Sequence, residues 1–204
     1  NDLLYWVIQQ IDLMFANGKP HTDFVITKSV GSYGGLQASE FVNEKGQKKA
    51  KVGDYTTPIL ASNKSEREEQ MAKKGASTVQ DFYLLCLPAQ VQLAERMRKR
   101  GQRVDAGSRL EYVVTDPVKH TAKQYEKVES SEYYKKYSDV IQIDYYYYLK
   151  ALANPLDQVL NVAYGSDKDW QEDFVLKQYQ HRWKVKQKCL DELKDLFRPK
   201  LSFN

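Results

Sequence analysis

Apolar positions recur along this chain with helical spacing at both ends and with strand-like density at two places between. Residues 2–16 place Leu4, Val7, Ile8, Ile11 and Phe15 near i, i+3, i+4 positions, which predicts an amphipathic helix ended by Asn17-Gly18-Lys19-Pro20. Phe24-Val25-Ile26-Thr27 is a short β-branched and aromatic run, a predicted strand, and Gly31-Ser32-Tyr33-Gly34-Gly35 after it is a predicted loop. Between 46 and 77 the chain is polar and carries the clusters Lys48-Lys49-Ala50-Lys51 and Glu66-Arg67-Glu68-Glu69; it reads as an insertion with one short surface helix. A helix from Thr78 turns Phe82, Leu85 and Cys86 inward. The next runs from Pro88, suited to a first turn, to Gly101, suited to the left-handed position past a last turn, with Val91, Ala94 and Met97 on one face.

Leu110-Glu111-Tyr112-Val113-Val114 predicts a second strand, ended by Asp116-Pro117 and able to pair with the first. Lys119 to Tyr137 reads as loop or weak helix. Asp144 caps a helix that opens with Tyr145–Tyr148, of which core packing is expected for two and stacking on bases is the alternative. Pro155 is expected to start a further helix, with Leu156, Val159 and Leu160 inward. A long last helix is expected from Lys168 to Phe197, with Trp170, Phe174, Tyr179, Trp183, Leu190, Leu193 and Phe197 as its stripe. The fold class is therefore α+β, predominantly helical, with one or two short strands. The organisation is a helix and strand over 1–30, a loop and polar insertion over 31–80, and a helical core over 81–204. Leu3-Leu4-Tyr5-Trp6-Val7-Ile8 looks like the middle of a helix, so the chain is expected to be a segment of a larger protein.

Charge sharpens this picture. Pro88 to Arg109 holds six Lys/Arg and two acids, a local +4 equal to the net charge of all 204 residues. Arg96, Lys99, Arg100 and Arg103 share one helical face, and a focused basic ridge points to a polyanion such as a nucleic-acid backbone. The alternative for Arg96 and Arg100 is a solvated face paired with Glu95 or other acids; Arg98 falls off the ridge. Lys48, Lys49 and Lys51 add loose attraction or solubility. No apolar run reaches the ~20 residues of a membrane helix. Cys86 and Cys189 are too few for a disulfide framework and read as buried thiols, which fits a reducing compartment. Three scattered histidines give no metal spacing. There is no phosphate-binding Gly-rich loop, no paired-histidine helix and no nucleophile elbow. Asp167 and Asp169 read as the polar start of a helix rather than as metal ligands.

Four motifs in order resemble family B DNA polymerases. They are Phe24-Val25-Ile26-Thr27-Lys28-Ser29, Val91-x-Leu93-Ala94-Glu95-Arg96-Met97-Arg98-Lys99-Arg100, Gly107-x-Arg109-Leu110-x-Tyr112-Val113-Val114, and Asp144-x-x-Tyr147-Tyr148-Leu149 followed by Asn154-Pro155-Leu156. The similarity is to delta-type enzymes and their relatives in large DNA viruses, over Asp2 to Leu160 with about 34–80 unmatched. Gln90 stands where the family often has His. The resemblance implies the end of the palm and the thumb, a helical unit that grips the primer–template duplex and supports replication and processivity. The palm motif Tyr-Gly-Asp-Thr-Asp-Ser and the fingers motif do not occur in this sequence, so no catalytic residue is expected in it. Mg2+ is expected in the parent's palm, and no cofactor or metal in this segment.

By resemblance, Lys28, Ser29, Tyr33, Arg96, Lys99, Arg100, Arg103 and Arg109 contact DNA, mainly its phosphates. Expected partners are duplex DNA, the rest of the polymerase and an accessory or processivity factor, with no membrane. The setting is the nucleus or a viral replication site in the host cytoplasm. The competing reading is a non-catalytic module that docks an acidic protein through the basic helix; RNA binding is a third, without an RRM or KH signature.

Overall fold

The computed structural model describes residues 2–16, 19–35, 49–116 and 123–177. The chain divides into two compact units, one of residues 1–20 with 144–204 and one of 21–143.

In the first unit, helix α1 (Asp2–Phe15) buries Val7, Ile11 and Met14. Helix α7 (Tyr145–Tyr164) is capped by Asp144, whose Oδ1 accepts the Tyr147 N–H at 3.0 Å. It buries Leu149, Ala153 and Leu160 and packs against α1, with the Phe15 and Tyr145 rings 5.8 Å apart. Two expectations fail here. Pro155 does not start a helix; α7 runs straight through it, although a proline there removes one intrahelical donor. Val159, expected inward, is exposed. Of the four tyrosines, Tyr145, Tyr147 and Tyr148 are half-buried and Tyr146 is exposed, so none is fully in the core. After Gly165 a π-helical turn (Gln171–Leu176) opens where an α-helix was expected, and it buries Val175 and Leu176 while Phe174 is half-buried. A π turn advances the face by about one residue, which is why the inward set shifts. Trp170 is buried and donates its indole N–H to the Gly165 carbonyl at 3.0 Å. Asp169 accepts the Glu172 N–H, the capping role expected of it. Tyr179, Trp183, Cys189, Leu190, Leu193 and Phe197 lie outside the described residues.

The second unit is built on a three-stranded antiparallel sheet in the order β1–β4–β5. A 3-10 turn (His21–Phe24) buries Phe24, so the first strand, β1, begins later than expected, at Ile26–Ser29. Central β4 (Arg109–Val114) pairs with β1, Ile26 opposite Tyr112 and Ser29 opposite Arg109. Its other edge pairs with β5 (Val128–Ser130), Val114 opposite Val128. The expected strand pair is present, and β5 is a third strand in a stretch read as loop or weak helix. Short helices α5 (Gln124–Lys127) and α6 (Ser131–Lys136) flank β5.

The stretch expected to be an insertion contributes core. Strands β2 (Lys49–Val52) and β3 (Tyr55–Pro58) form a hairpin around Gly53-Asp54. Ala50, Val52 and Thr57 are buried, and Ala50 and Val52 pack with Tyr33, Phe82, Tyr83, Leu87 and Val91. The lysine cluster hides a period-2 alternation, with Ala50 and Val52 inward and Lys51 outward. Helix α2 (Lys64–Lys74) is the expected surface helix, capped by Asn63 and ended by Gly75, with no fully buried residue and half-buried Met71 packed against the Tyr33–Tyr83 cluster.

Helix α3 (Val79–Cys86) starts in a capping box of Thr78 and Asp81. It buries Phe82 and Tyr83; Leu85 and Cys86, expected inward, are half-buried. Helix α4 (Ala89–Lys99) packs on β4, β5 and α5. It buries Val91, Gln92, Leu93 and Ala94, while Met97 is half-buried. Pro88 is its cap rather than its first residue. Buried Gln92 is satisfied by donating its amide to the Leu87 carbonyl at 2.7 Å.

Candidate nucleic-acid interface

The antiparallel register brings the first and third sequence motifs to one end of the sheet. Ser29 and Arg109 are direct partners, and Lys28 is opposite Leu110. Directly paired residues share a face, so Lys28 and Arg109 project to opposite faces at the same end of the sheet. Both are exposed, and neither side chain makes a hydrogen bond or ion pair with the described residues. A ligand that meets both must cross the end of the sheet rather than lie on a face.

Two loops close around this end. The Val30 N–H donates to the Ser108 carbonyl at 3.0 Å. Ser29 Oγ accepts the Gly31 N–H at 3.0 Å, and the Ser29 carbonyl accepts the Tyr55 hydroxyl at 3.3 Å. Asp54, in the hairpin turn, accepts the Ser32 N–H at 2.7 Å and the Ser32 hydroxyl at 3.1 Å. Those two donors hold the Asp54 carboxyl below its ordinary pKa of 3.8, with Lys51 helping from further off. Gly31 is in the left-handed region at φ 55°, and a Cβ there would sit 2.2 Å from Asp54 Oδ2. The turn therefore requires glycine.

The ridge on α4 is largely committed to the protein itself. Arg96, expected at a phosphate, has a half-buried guanidinium that donates to the carbonyls of Tyr125, at 2.5 Å, and Val128. Burial pushes its pKa below the ordinary value, against the attraction of Glu129. The arginine therefore fastens the α5–β5 segment to α4. Arg100 makes a two-pronged pair with Glu129, at 2.8 and 2.9 Å, and lies over the Tyr133 ring, 4.0 Å from its centroid. The hydrogen bonds to Glu129 raise its pKa. The solvated-face alternative thus describes Arg100, with Glu129 rather than Glu95 as partner. Arg103 pairs with Asp105 at 2.8 Å, with both side chains well exposed. Lys99 is exposed and makes no such pair with the described residues.

Tyr33, expected at DNA, is 1% exposed in this structure, and its hydroxyl donates to Glu95 Oε1 at 2.8 Å. The same Glu95 oxygen accepts from Arg98 Nη1 at 2.8 Å. Arg98 also donates to the Val104 carbonyl, at 2.9 Å from Nε and 2.5 Å from Nη2, and lies 5.4 Å from the Tyr33 ring centroid. This node ties the loop after β1 and the loop after α4 to the helix.

Sequence reasoning missed Glu129, Tyr125 and Val128, which lie on a segment read as loop or weak helix, and it missed Asp54. The only local signal was the pair Gly53-Asp54 between two alternating runs, which suits a hairpin turn. Lys48 lies outside the described residues. Among the described residues no group of three His, Cys, Asp or Glu side chains could hold a metal ion. No helix of the described residues is long and apolar enough to cross a membrane.

Comparison with known proteins gives this geometry its context. The family model for DNA polymerase family B matches residues 37–163. That match runs through 37–80, which the four motifs had left out. The chain is 43% identical over 193 residues to a DNA polymerase of Invertebrate iridescent virus 3, covering 95% of this chain and 16% of that protein. It is 41% identical over 150 residues to a DNA polymerase of Invertebrate iridescent virus 6, covering 70% of this chain and 12% of the relative. A DNA polymerase of Red sea bream iridovirus is 31% identical over 168 residues, 76% of this chain and 16% of the relative. The chain thus spans about a sixth or less of the length of these relatives. With a family model over more than half its length and viral relatives along nearly all of it, the chain belongs to DNA polymerase family B.

Proposed function

We propose that this chain is the thumb and adjoining C-terminal part of a viral DNA-directed DNA polymerase, and that it holds the primer–template duplex by its backbone. The observation that carries the reading is the end of the β1–β4 pair, where the Lys28 and Arg109 side chains are exposed beside Ser29 and pair with none of the described residues. Ser29 Oγ already accepts the Gly31 N–H, so its own hydroxyl proton is available to a phosphate oxygen. Contacts of this kind read no bases, as a replicative enzyme requires. Arg109 offers a planar fork to two oxygens and Lys28 a point charge. Lys99 adds a further exposed cation, and Arg103 an exposed one whose pair with Asp105 is weak enough to exchange.

The chemistry of nucleotide addition is assigned to the parent protein. Its Mg2+ ions would bind in the palm, and the described residues here do not form a group fit to hold them. The role of this chain is to lengthen residence on DNA, beside the palm and any accessory factor, in the infected cell. Its setting there is the nucleus or a cytoplasmic replication site.

Fluorescence anisotropy with two primer–template duplexes of unrelated sequence, across a salt series, tests the reading. With two or three phosphates neutralised, the log–log salt slope should be about −2 to −3, equal for both sequences. Lys28→Ala with Arg109→Ala should flatten it by roughly two units. Absence of binding at low salt, or a slope unmoved by the double variant, would refute it.

A further inference from the structure

A cavity of about 410 Å3 lies in the second unit, and Lys28, Ser29 and Arg109 are not among its lining residues. Its lining combines an apolar floor (Leu85, Leu87, Pro88, Ala89 and the Tyr125 residue) with three lysines, Lys73, Lys74 and Lys123. Lys73 is held by Glu69 at 2.7 Å. The Lys74 and Lys123 ammonium groups make no ion pair with the described residues, and no acid lines the cavity. Helix α4 starts at its edge without a side-chain cap, so the first N–H groups of that helix add to the positive character. Buried Gln92 has its amide N–H engaged by Leu87, which fixes the wall.

We propose that this cavity docks a short acidic peptide of a partner protein, one apolar side chain entering it and flanking carboxylates meeting Lys74 and Lys123. The chemistry discriminates between occupants. A phosphate would use the lysines and gain nothing from Leu85, Leu87 and Pro88. A duplex backbone is a continuous ladder of charge and has no apolar group to place in a cavity. An apolar side chain between acids uses both halves of the lining, and the volume is within the ~300–1,000 Å3 of small-ligand sites. The charge is complementary to the acidic partner and repels a basic one.

The probe is a fluorescein-labelled peptide Asp-Glu-Leu-Asp-Glu, titrated with the 204-residue chain at low salt. Controls are Asp-Glu-Ser-Asp-Glu, which lacks the anchor, and Ser-Gly-Leu-Gly-Ser, which lacks the charge. The leucine peptide should bind at least about fivefold tighter than the serine peptide, since only it buries an apolar side chain. Ala89→Trp, which fills the cavity without altering charge, should abolish that difference. Lys74→Glu with Lys123→Glu should weaken binding about tenfold, and Lys28→Ala with Arg109→Ala should leave it unchanged. Circular dichroism confirms that each variant is folded. The proposal is overturned if none of the peptides binds, if the serine peptide binds as well as the leucine peptide, or if Ala89→Trp changes nothing. It is equally overturned if sub-stoichiometric duplex DNA displaces the peptide. None of these results bears on the salt slope of the sheet end, so the two readings fail separately.

Discussion

Replacing Arg96 by Met separates a structural arginine from a DNA-binding one. The methionine keeps most of the aliphatic stem against α4's neighbours and deletes the guanidinium. Two carbonyls, those of Tyr125 and Val128, then lose their donor in a partly buried place. Hydrogen bonds to a charged group contribute roughly 1.5–3 kcal/mol each, and two on one guanidinium do not add fully, so the expected loss is about 2–4 kcal/mol. Against a typical total of ~5–15 kcal/mol that is a large fraction. Urea denaturation followed by circular dichroism would measure it, and amide exchange should speed up at Val128–Ser130, the strand that the guanidinium fastens. Arg96→Lys should lie between the two, because one ammonium cannot reproduce the fork. The salt slope of duplex binding, taken where the variant is still folded, should stay as in the parent chain. A stability loss below about 0.5 kcal/mol together with a slope flattened by roughly one unit would show that Arg96 neutralises a phosphate, and the structural account would fail.

Further predictions concern the loops and α7. Gly31→Ala should cost about 1–3 kcal/mol, since φ 55° and the contact with Asp54 both oppose a Cβ; a melting temperature equal to that of the parent chain would contradict this. The Asp54 carboxyl is ionised more easily when folded, so its contribution is complete above the ordinary value of 3.8 and disappears as pH falls through the lower folded value. Carbon-13 chemical shifts of that carboxyl should titrate below 3.8, and Ser32→Ala, which removes the hydroxyl but leaves the backbone N–H as the larger cause, should bring the midpoint part of the way back up; an unmoved midpoint would mean that the hydroxyl contributes nothing. Pro155→Ala should stabilise the first unit by about 1–3 kcal/mol, because α7 regains an intrahelical N–H at a position it already holds in helical form. Destabilisation on thermal unfolding would show that the proline shape is needed there.

What could be read from the sequence was local. Thr78 and Asp144 announce their helices because capping is decided within three residues. The alternation in Leu110-Glu111-Tyr112 announces β4 for the same reason, and Val7 and Ile11 mark the inward face of α1. The site was legible only as a set of basic residues, not as a set of free ones. Whether an arginine is free depends on partners far along the chain. Arg100 finds Glu129 twenty-nine positions away, and Tyr33 finds Glu95 sixty-two positions away. No periodicity encodes such pairs. Strand β5 is three residues long and carries too few positions to show a period. At Pro155 the packing of Ala153 and Leu160 outweighs a residue preference that, taken alone, would have ended the helix.

The hairpin of β2 and β3 bears on how a smaller version of this unit could be cut. A designer looking for expendable residues would choose its lysines and threonines first. Removing Lys49–Pro58 would strip Ala50 and Val52 from the packing around Tyr83 and Val91, and would release Ser32 from its carboxylate. The Tyr55 hydroxyl would leave the Ser29 carbonyl in the same cut. The hairpin is a strut for the loop that follows Lys28, and a shortened unit has to keep it.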